Sequence, residues 1–142
     1  MGLTHYWQRA LALPPAAFGR ALEDCRKILP PLAIAVGPPA AGAAGQAALT
    51  TECILVEPPA GTYGEPLLVR RVVRDWQARR PGFGFAKTNR LPYDRAVRVV
   101  LIILRRHIGL SFHVYSDDPD WQEAQRYCQE HLGYGLDFRL DR

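Results

Sequence analysis

Residues 92–107 constrain the fold of this 142-residue chain most strongly, because they predict a helix that is mostly buried. Pro92 suits the first turn of a helix, and Gly109 suits the cap after its last residue. On a helical wheel one broad apolar face is formed by Ala96, Val97, Val100, Ile103 and Leu104. Arginines occupy the opposite side, where Val99 and Ile102 intrude. We therefore expect a buried helix whose arginines reach solvent along their apolar stems.

The remaining elements follow from the spacing of apolar residues and from the positions of Pro and Gly. A second helix is predicted at residues 15–29, and a third runs to 132 with Asp118 as its N-cap and Pro119 in its first turn. Strands are predicted at residues 3–11, 32–36, 53–57, 67–74, 83–87, 110–115 and 136–140. Strands and helices do not alternate regularly. The sequence therefore predicts an α+β fold, with a single mixed or antiparallel sheet and about three helices packed mainly on one face.

The chain has the length of one domain, and it contains no internal repeat. We predict a single domain over residues 1–142. Residues 37–48 are Gly, Pro and Ala with one Gln, so this stretch has no large side chain to bury. It is interpreted as a flexible surface loop.

The charge of the chain is concentrated in its centre. Residues 70–106 carry 11 basic and 2 acidic side chains, whereas residues 117–142 carry 3 basic and 7 acidic ones. The basic centre either meets an external polyanion or is partly neutralised by the acidic end of the chain. Trp76, Phe83 and Phe85 lie among the cations and could stack on bases. The candidate nucleic-acid contacts are Arg70, Arg71, Arg74, Arg98 and Arg105.

A candidate anion site lies where the strand at 83–87 leads into the central helix. The free N–H groups of a helix N-terminus, together with nearby cations, can hold a phosphate or a carboxylate. The candidate residues are Lys87, Thr88, Arg90, Tyr93 and Asp94. The alternative is an ordinary helix start, in which Thr88 caps the loop, Tyr93 packs and Asp94 favours the helix dipole.

Ser116 and Asp117 form a second candidate at another predicted junction of strand and helix. Asp118 and Asp120 follow, but the spacing of a calcium-binding loop is absent, so we predict no metal. The three cysteines form no C-x-x-C pair, which favours reduced thiols in a cytoplasmic protein. No catalytic, nucleotide-binding or cofactor motif occurs, and no apolar run is long enough to cross a bilayer.

Several of these residues resemble a family of small uncharacterised bacterial proteins with the pattern F-x-K-T, P-Y-D, S-D and W. The matching positions are His5-Tyr6-Trp7, Phe85, Lys87-Thr88, Pro92-Tyr93-Asp94, His107-Ile108-Gly109, Ser116-Asp117 and Trp121. The chain departs from the pattern at Arg106, where the family has a second histidine, and at Tyr115 and Asp118, where it often has Ser and Gly. The resemblance implies no activity, cofactor or partner. It does imply that Lys87, Thr88, Tyr93, Asp94, Ser116 and Asp117 form one polar cluster.

Three functions remain open from the sequence. The leading hypothesis is a non-enzymatic cytoplasmic binding or adaptor protein, a monomer or homodimer, that recognises a protein partner or an anionic group at the two junctions. The alternative is sequence-independent nucleic-acid binding by residues 70–106. The third is a small enzyme that uses Lys87, Tyr93 and Asp117 as its polar cluster.

Overall fold

The computed structural model describes residues 2–142, which form three helices and seven strands. The helices are α1 (Pro15–Ile28), α2 (Asp94–Ile108) and α3 (Gln122–Leu132). The strands are β1 (Thr4–Arg9), β2 (Ile34–Val36), β3 (Gly45–Thr50), β4 (Cys53–Glu57), β5 (Leu67–Arg70), β6 (Phe83–Lys87) and β7 (Phe112–Ser116).

Helix α2 lies in the centre of the core, as its sequence predicts. Every residue from Ala96 to Leu104 is buried, and the helix packs against α1, α3 and β7. It begins at Asp94 rather than Pro92, because the N–H of Asp94 donates to the carbonyl of Leu91 and closes a turn before the helix. Burial on almost all sides means that each polar group on α2 needs a partner inside the protein.

The prediction of a single sheet is wrong, because the strands form two sheets. One has the order β6-β1-β7 and is antiparallel throughout. The other has the order β2-β3-β4-β5, with β2 and β3 parallel and the remaining pairs antiparallel. Alternation in a sequence shows which side chains face the core, but it does not show which strands pair.

Glu65 and Arg9 connect the two sheets through hydrogen bonds. Glu65 takes the edge of β6, since its N–H donates to the Lys87 carbonyl and its carboxylate accepts the Lys87 N–H at 2.9 Å. Arg9 at the end of β1 is buried, and its guanidinium donates to the carbonyls of Arg70 and Arg71 beside the second sheet. Burial lowers the pKa of Arg9 to about 10.

Three local predictions also differ from the structure. Strand β3 begins at Gly45, inside the stretch predicted as a loop, and pairs with β4. A Cβ on Gly45 would lie 2.5 Å from the Glu57 carbonyl, so the close pairing needs a glycine here. No strand forms over 136–140, where the side chain of Gln125 donates to the carbonyls of Gly135, Leu136 and Phe138. Helix α3 begins at Gln122, so Asp118 is not its N-cap.

A pair of glycine substitutions tests this packing. Trp7 covers Gly84 so closely that a Cβ on Gly84 would lie 2.3 Å from the indole. We expect Gly84→Ala to lower the free energy of unfolding by about 1–3 kcal/mol, the usual cost of overpacking. Gly19 in α1 has no atom within 4 Å of its added Cβ, so Gly19→Ala should raise stability by about 0.5–1 kcal/mol. Urea denaturation measures both changes, and equal midpoints for the two variants would contradict the packing described.

Candidate functional site

A line of hydrogen bonds crosses the interior from β7 through β1 to the start of α2. His5 on β1 has no exposed surface. Its Nδ1 lies 2.8 Å from the Ser116 hydroxyl, and its Nε2 lies 2.7 Å from Asp94 Oδ1. A carboxylate only accepts, so His5 donates through Nε2–H, and in the neutral ring Nδ1 accepts the Ser116 proton. Thr88, also buried, donates to the same Asp94 oxygen at 2.5 Å.

Arg98 on α2 joins this line to the loop before α3. Its Nε donates to Asp94 Oδ2 at 2.7 Å, its Nη2 to Asp118 Oδ2 at 3.0 Å and its Nη1 to the Asp120 carbonyl at 2.9 Å. The guanidinium carbon also lies 5.3 Å from the Trp121 ring centre. The resulting set, called here the Arg98 network, consists of His5, Thr88, Asp94, Arg98, Ser116 and Asp118.

The network holds its carboxylates in the ionised form. Burial by itself would raise the pKa of Asp94, but hydrogen bonds from His5 and Thr88 and the charge of Arg98 outweigh it and lower the pKa. The pKa of Asp118 is lowered in the same way, because the backbone of Asp120 and the Arg98 side chain outweigh the effect of burial. Both carboxylates therefore remain charged near neutral pH and keep Arg98 paired.

The two predicted junctions meet in space, but only some of their candidate residues join. Thr88, Asp94 and Ser116 lie in the Arg98 network. Asp117 lies outside the network, and its carboxylate accepts a hydrogen bond from the Thr4 N–H at 3.1 Å.

The remaining candidates lie outside the network. Tyr93 is buried and donates its hydroxyl to the Glu65 carbonyl, while Lys87 and Arg90 are exposed. Of the three residues in the enzyme hypothesis, Lys87 is therefore exposed, Tyr93 is buried against Glu65 and Asp117 is bonded to the Thr4 N–H.

The acidic end of the chain neutralises the arginines of α2. Each of these four arginines has an acidic partner in residues 117–142, and the pairs are Arg95–Glu123, Arg98–Asp118, Arg105–Asp141 and Arg106–Asp137. Of the nucleic-acid candidates, Arg98 and Arg105 are therefore engaged within the chain. Arg71 donates to the Leu13 carbonyl and lies 3.8 Å from Glu52, whereas Arg70 and Arg74 have no acidic partner among the described residues.

The other face of the first sheet carries aromatic side chains. Tyr6 on β1 is paired directly with Phe85 on β6 and with Tyr115 on β7, so the three side chains share one face. Phe83, two residues before Phe85, lies on the same face, and the two phenyl centres are 6.1 Å apart. All four rings retain solvent exposure, which reaches 53% at Phe85. These residues, Tyr6, Phe83, Phe85 and Tyr115, are called here the aromatic face.

Sequence reasoning did not identify His5 as part of a site, and it placed Arg98 on a surface. One signal was available for His5, because alternation along β1 puts it on the same face as the apolar Trp7. A histidine at a core position needs hydrogen-bonding partners. The identity of those partners, 89 and 111 residues away, depends on the tertiary fold.

Comparisons with protein-family profiles, with curated proteins and with solved structures found no match to this chain. Within residues 2–142 no helix combines the length and the apolar character needed to cross a membrane. In the same range, no three His, Cys, Asp or Glu side chains come together as a metal site.

Replacing Asp94 with Asn tests the electrostatics of the network. The variant keeps the shape of the side chain but leaves Arg98 without one of its charges, so we expect a loss of about 3 kcal/mol at pH 7. The lowered pKa means that the wild-type contribution is complete above about pH 4 and is lost as the pH falls through the folded-state pKa.

Asp94→Asn should therefore lose less stability than the wild type between about pH 5 and pH 2, as measured by urea denaturation at each pH. Asp75→Asn, at an exposed position, serves as the control and should behave as the wild type. A wild-type pH dependence in Asp94→Asn would show that the network does not hold Asp94 ionised.

Proposed function

We propose that the protein binds single-stranded nucleic acid, without selecting a sequence, on the aromatic face of the sheet β6-β1-β7. The observation that carries this proposal is the cross-strand row of Phe85, Tyr6 and Tyr115 with Phe83 beside it. Exposed aromatic rings on a sheet provide platforms for unpaired bases, and each stacked base contributes about 1–3 kcal/mol. Stacking accepts any base, so such a face is tolerant of sequence.

Cations stand at both ends of the strand that carries two of these rings. Arg79 and Arg80 precede β6, and Lys87 and Arg90 end and follow it. All four are exposed, and none forms an ion pair among residues 2–142. The guanidinium carbon of Arg80 lies 4.0 Å from the Phe83 ring centre. A five-residue strand spans about 17 Å, so a phosphate backbone that follows β6 would meet positive charge at each end.

The hydrogen bonds inside the protein disfavour recognition of a ligand at the two junctions of strand and helix. Thr88 and Asp94 direct their polar atoms to partners inside the chain, so they are not available to a protein partner or to an anion, and the Ser116 hydroxyl is hydrogen-bonded to His5. The cations and rings beside β6 keep their recognition groups at the surface. A single strand is favoured over a duplex, because only unpaired bases can lie flat on the rings.

The cysteines are consistent with a cytoplasmic location for this binding. Cys25, Cys53 and Cys128 are all unpaired thiols. Burial, together with the nearby charge of Asp24, raises the pKa of Cys128 to about 12. Free thiols are typical of proteins in reducing compartments, and we propose the cytoplasm for this chain.

Phe85→Ala tests the stacking. We expect the Kd for a fluorescently labelled 12-nucleotide single strand of mixed sequence to rise about tenfold, because one stacking platform is lost. Tyr63, which is 91% exposed and lies outside the sheet, provides the matched control, and Tyr63→Ala should bind as the wild type. Fluorescence anisotropy measures both affinities, and equal Kd values for the two variants would show that the aromatic face does not bind the single strand.

The double variant Arg79→Ala, Arg80→Ala tests the electrostatic contribution. For single strands, the slope of log K against log salt is about −0.7 for each phosphate that a cation neutralises, so removing two cations should make the slope shallower by about 1.4. Arg20→Ala on α1 removes an exposed cation far from β6 in sequence and should leave the slope unchanged. Equal effects of the double variant and of Arg20→Ala would indicate non-directional attraction by net charge.

A further inference from the structure

Ser116 stands at the boundary between the Arg98 network and a groove of about 1040 Å³. The groove runs beside the start of α3 and the last residues of the chain, and Ser116 is among its lining residues. Behind Ser116 lies His5, and behind His5 lies Asp94, at 2.8 Å and 2.7 Å between the hydrogen-bonded atoms. A hydroxyl, an imidazole and a carboxylate joined in this order are the parts of an activated serine nucleophile.

The hydrogen-bond directions fit this role. The N–H of Asp118 donates to the Ser116 oxygen at 3.0 Å, which leaves the hydroxyl proton free to point to His5. Asp94 accepts from His5 Nε2, so Nδ1 is the nitrogen that can take the proton. Asp94 is a positioning residue here, because it fixes the ring and its lowered pKa keeps it charged.

We propose that Ser116 is a nucleophile toward carboxylic esters, with His5 as its general base. As Ser116 Oγ forms a bond to the carbonyl carbon, its proton passes to His5 Nδ1. The carbon–oxygen bond to the leaving alcohol then breaks, and the alcohol takes that proton from His5. Water next gives a proton to His5 and attacks the acyl group, and Ser116 Oγ leaves and regains its proton.

The groove indicates the class of ester. Leu136, which is 56% exposed, supplies apolar surface to the groove, and the stacked rings of Trp121 and Phe138, with centres 5.3 Å apart, are buried in its lining. Arg126, Arg139 and Arg142 line the same groove and outnumber its two acidic residues, Asp120 and Asp141. An apolar acyl chain with an anionic group at its far end matches this distribution of surface and charge.

A fluorophosphonate probe tests the nucleophile in the intact wild-type protein. Reaction would join Ser116 Oγ to phosphorus and release fluoride, and peptide mass spectrometry would locate the adduct. The chain contains only two serines, so Ser111, which is exposed and outside the groove, is an internal reference within the same sample. Because a general base typically contributes 10²–10⁴-fold, labelling of Ser116 should exceed that of Ser111 about 100-fold or more.

Equal or undetectable labelling of both serines would overturn the proposal, since the wild-type fold is intact in that experiment. A second measurement uses 4-nitrophenyl hemisuccinate, an ester with an anionic end. Release of nitrophenolate should fall at least about tenfold in Ser116→Ala and persist in Ser111→Ala. An unchanged rate in folded Ser116→Ala, checked by circular dichroism, would also overturn it. Neither result depends on nucleic-acid binding, which uses the opposite face of the sheet.

Discussion

The ion pair between Arg98 and Asp94 is the interaction on which the rest of the structure depends. Helix α2 is buried along nearly its whole length, and a guanidinium in such a helix is tolerated only when charges and carbonyls surround it. Asp94, Asp118 and the Asp120 carbonyl supply these partners. Because Asp94 also holds His5, the pair fixes α2 against the central strand of the first sheet and against the loop that leads to α3.

This arrangement divides the polar groups of the chain into two sets. The arginines of α2 are matched by the acidic C-terminal segment, so they hold the fold together and are not available to a ligand. The cations around β6 have no such partners among the described residues and remain at the surface. Strand β1 contributes to both sides of the sheet, since His5 faces inward to the Arg98 network while Tyr6 faces outward in the aromatic face. The proposed nucleic-acid surface and the proposed nucleophile thus lie on opposite faces of one sheet.

The sequence predicted the elements of the fold better than their assembly. The apolar pattern of α2 and the prolines and glycines around it were sufficient to place the helix and to predict its burial. The contacts of Glu65 and Arg9 that connect the two sheets lie 22 and more than 60 residues away and leave no periodic signal. The small residues at the start of β3 were predicted to form a flexible loop, although at Gly45 the close approach of the Glu57 carbonyl leaves no room for a Cβ. The candidate site was half predicted, because Thr88, Asp94 and Ser116 were identified from their junctions while His5 and the role of Arg98 needed the tertiary fold.

The central claim is that ligand binds on the aromatic face. The most direct measurement is a titration of isotope-labelled protein with a short single-stranded oligonucleotide, followed by backbone and aromatic chemical shifts. We predict that the shift changes concentrate at Tyr6, Phe83, Phe85 and Tyr115 and at the neighbouring cations, while the signals of α1 and of the four-stranded sheet stay in place. Shifts confined to α1 or to the β2-β3-β4-β5 sheet, or no shifts at low salt, would contradict it.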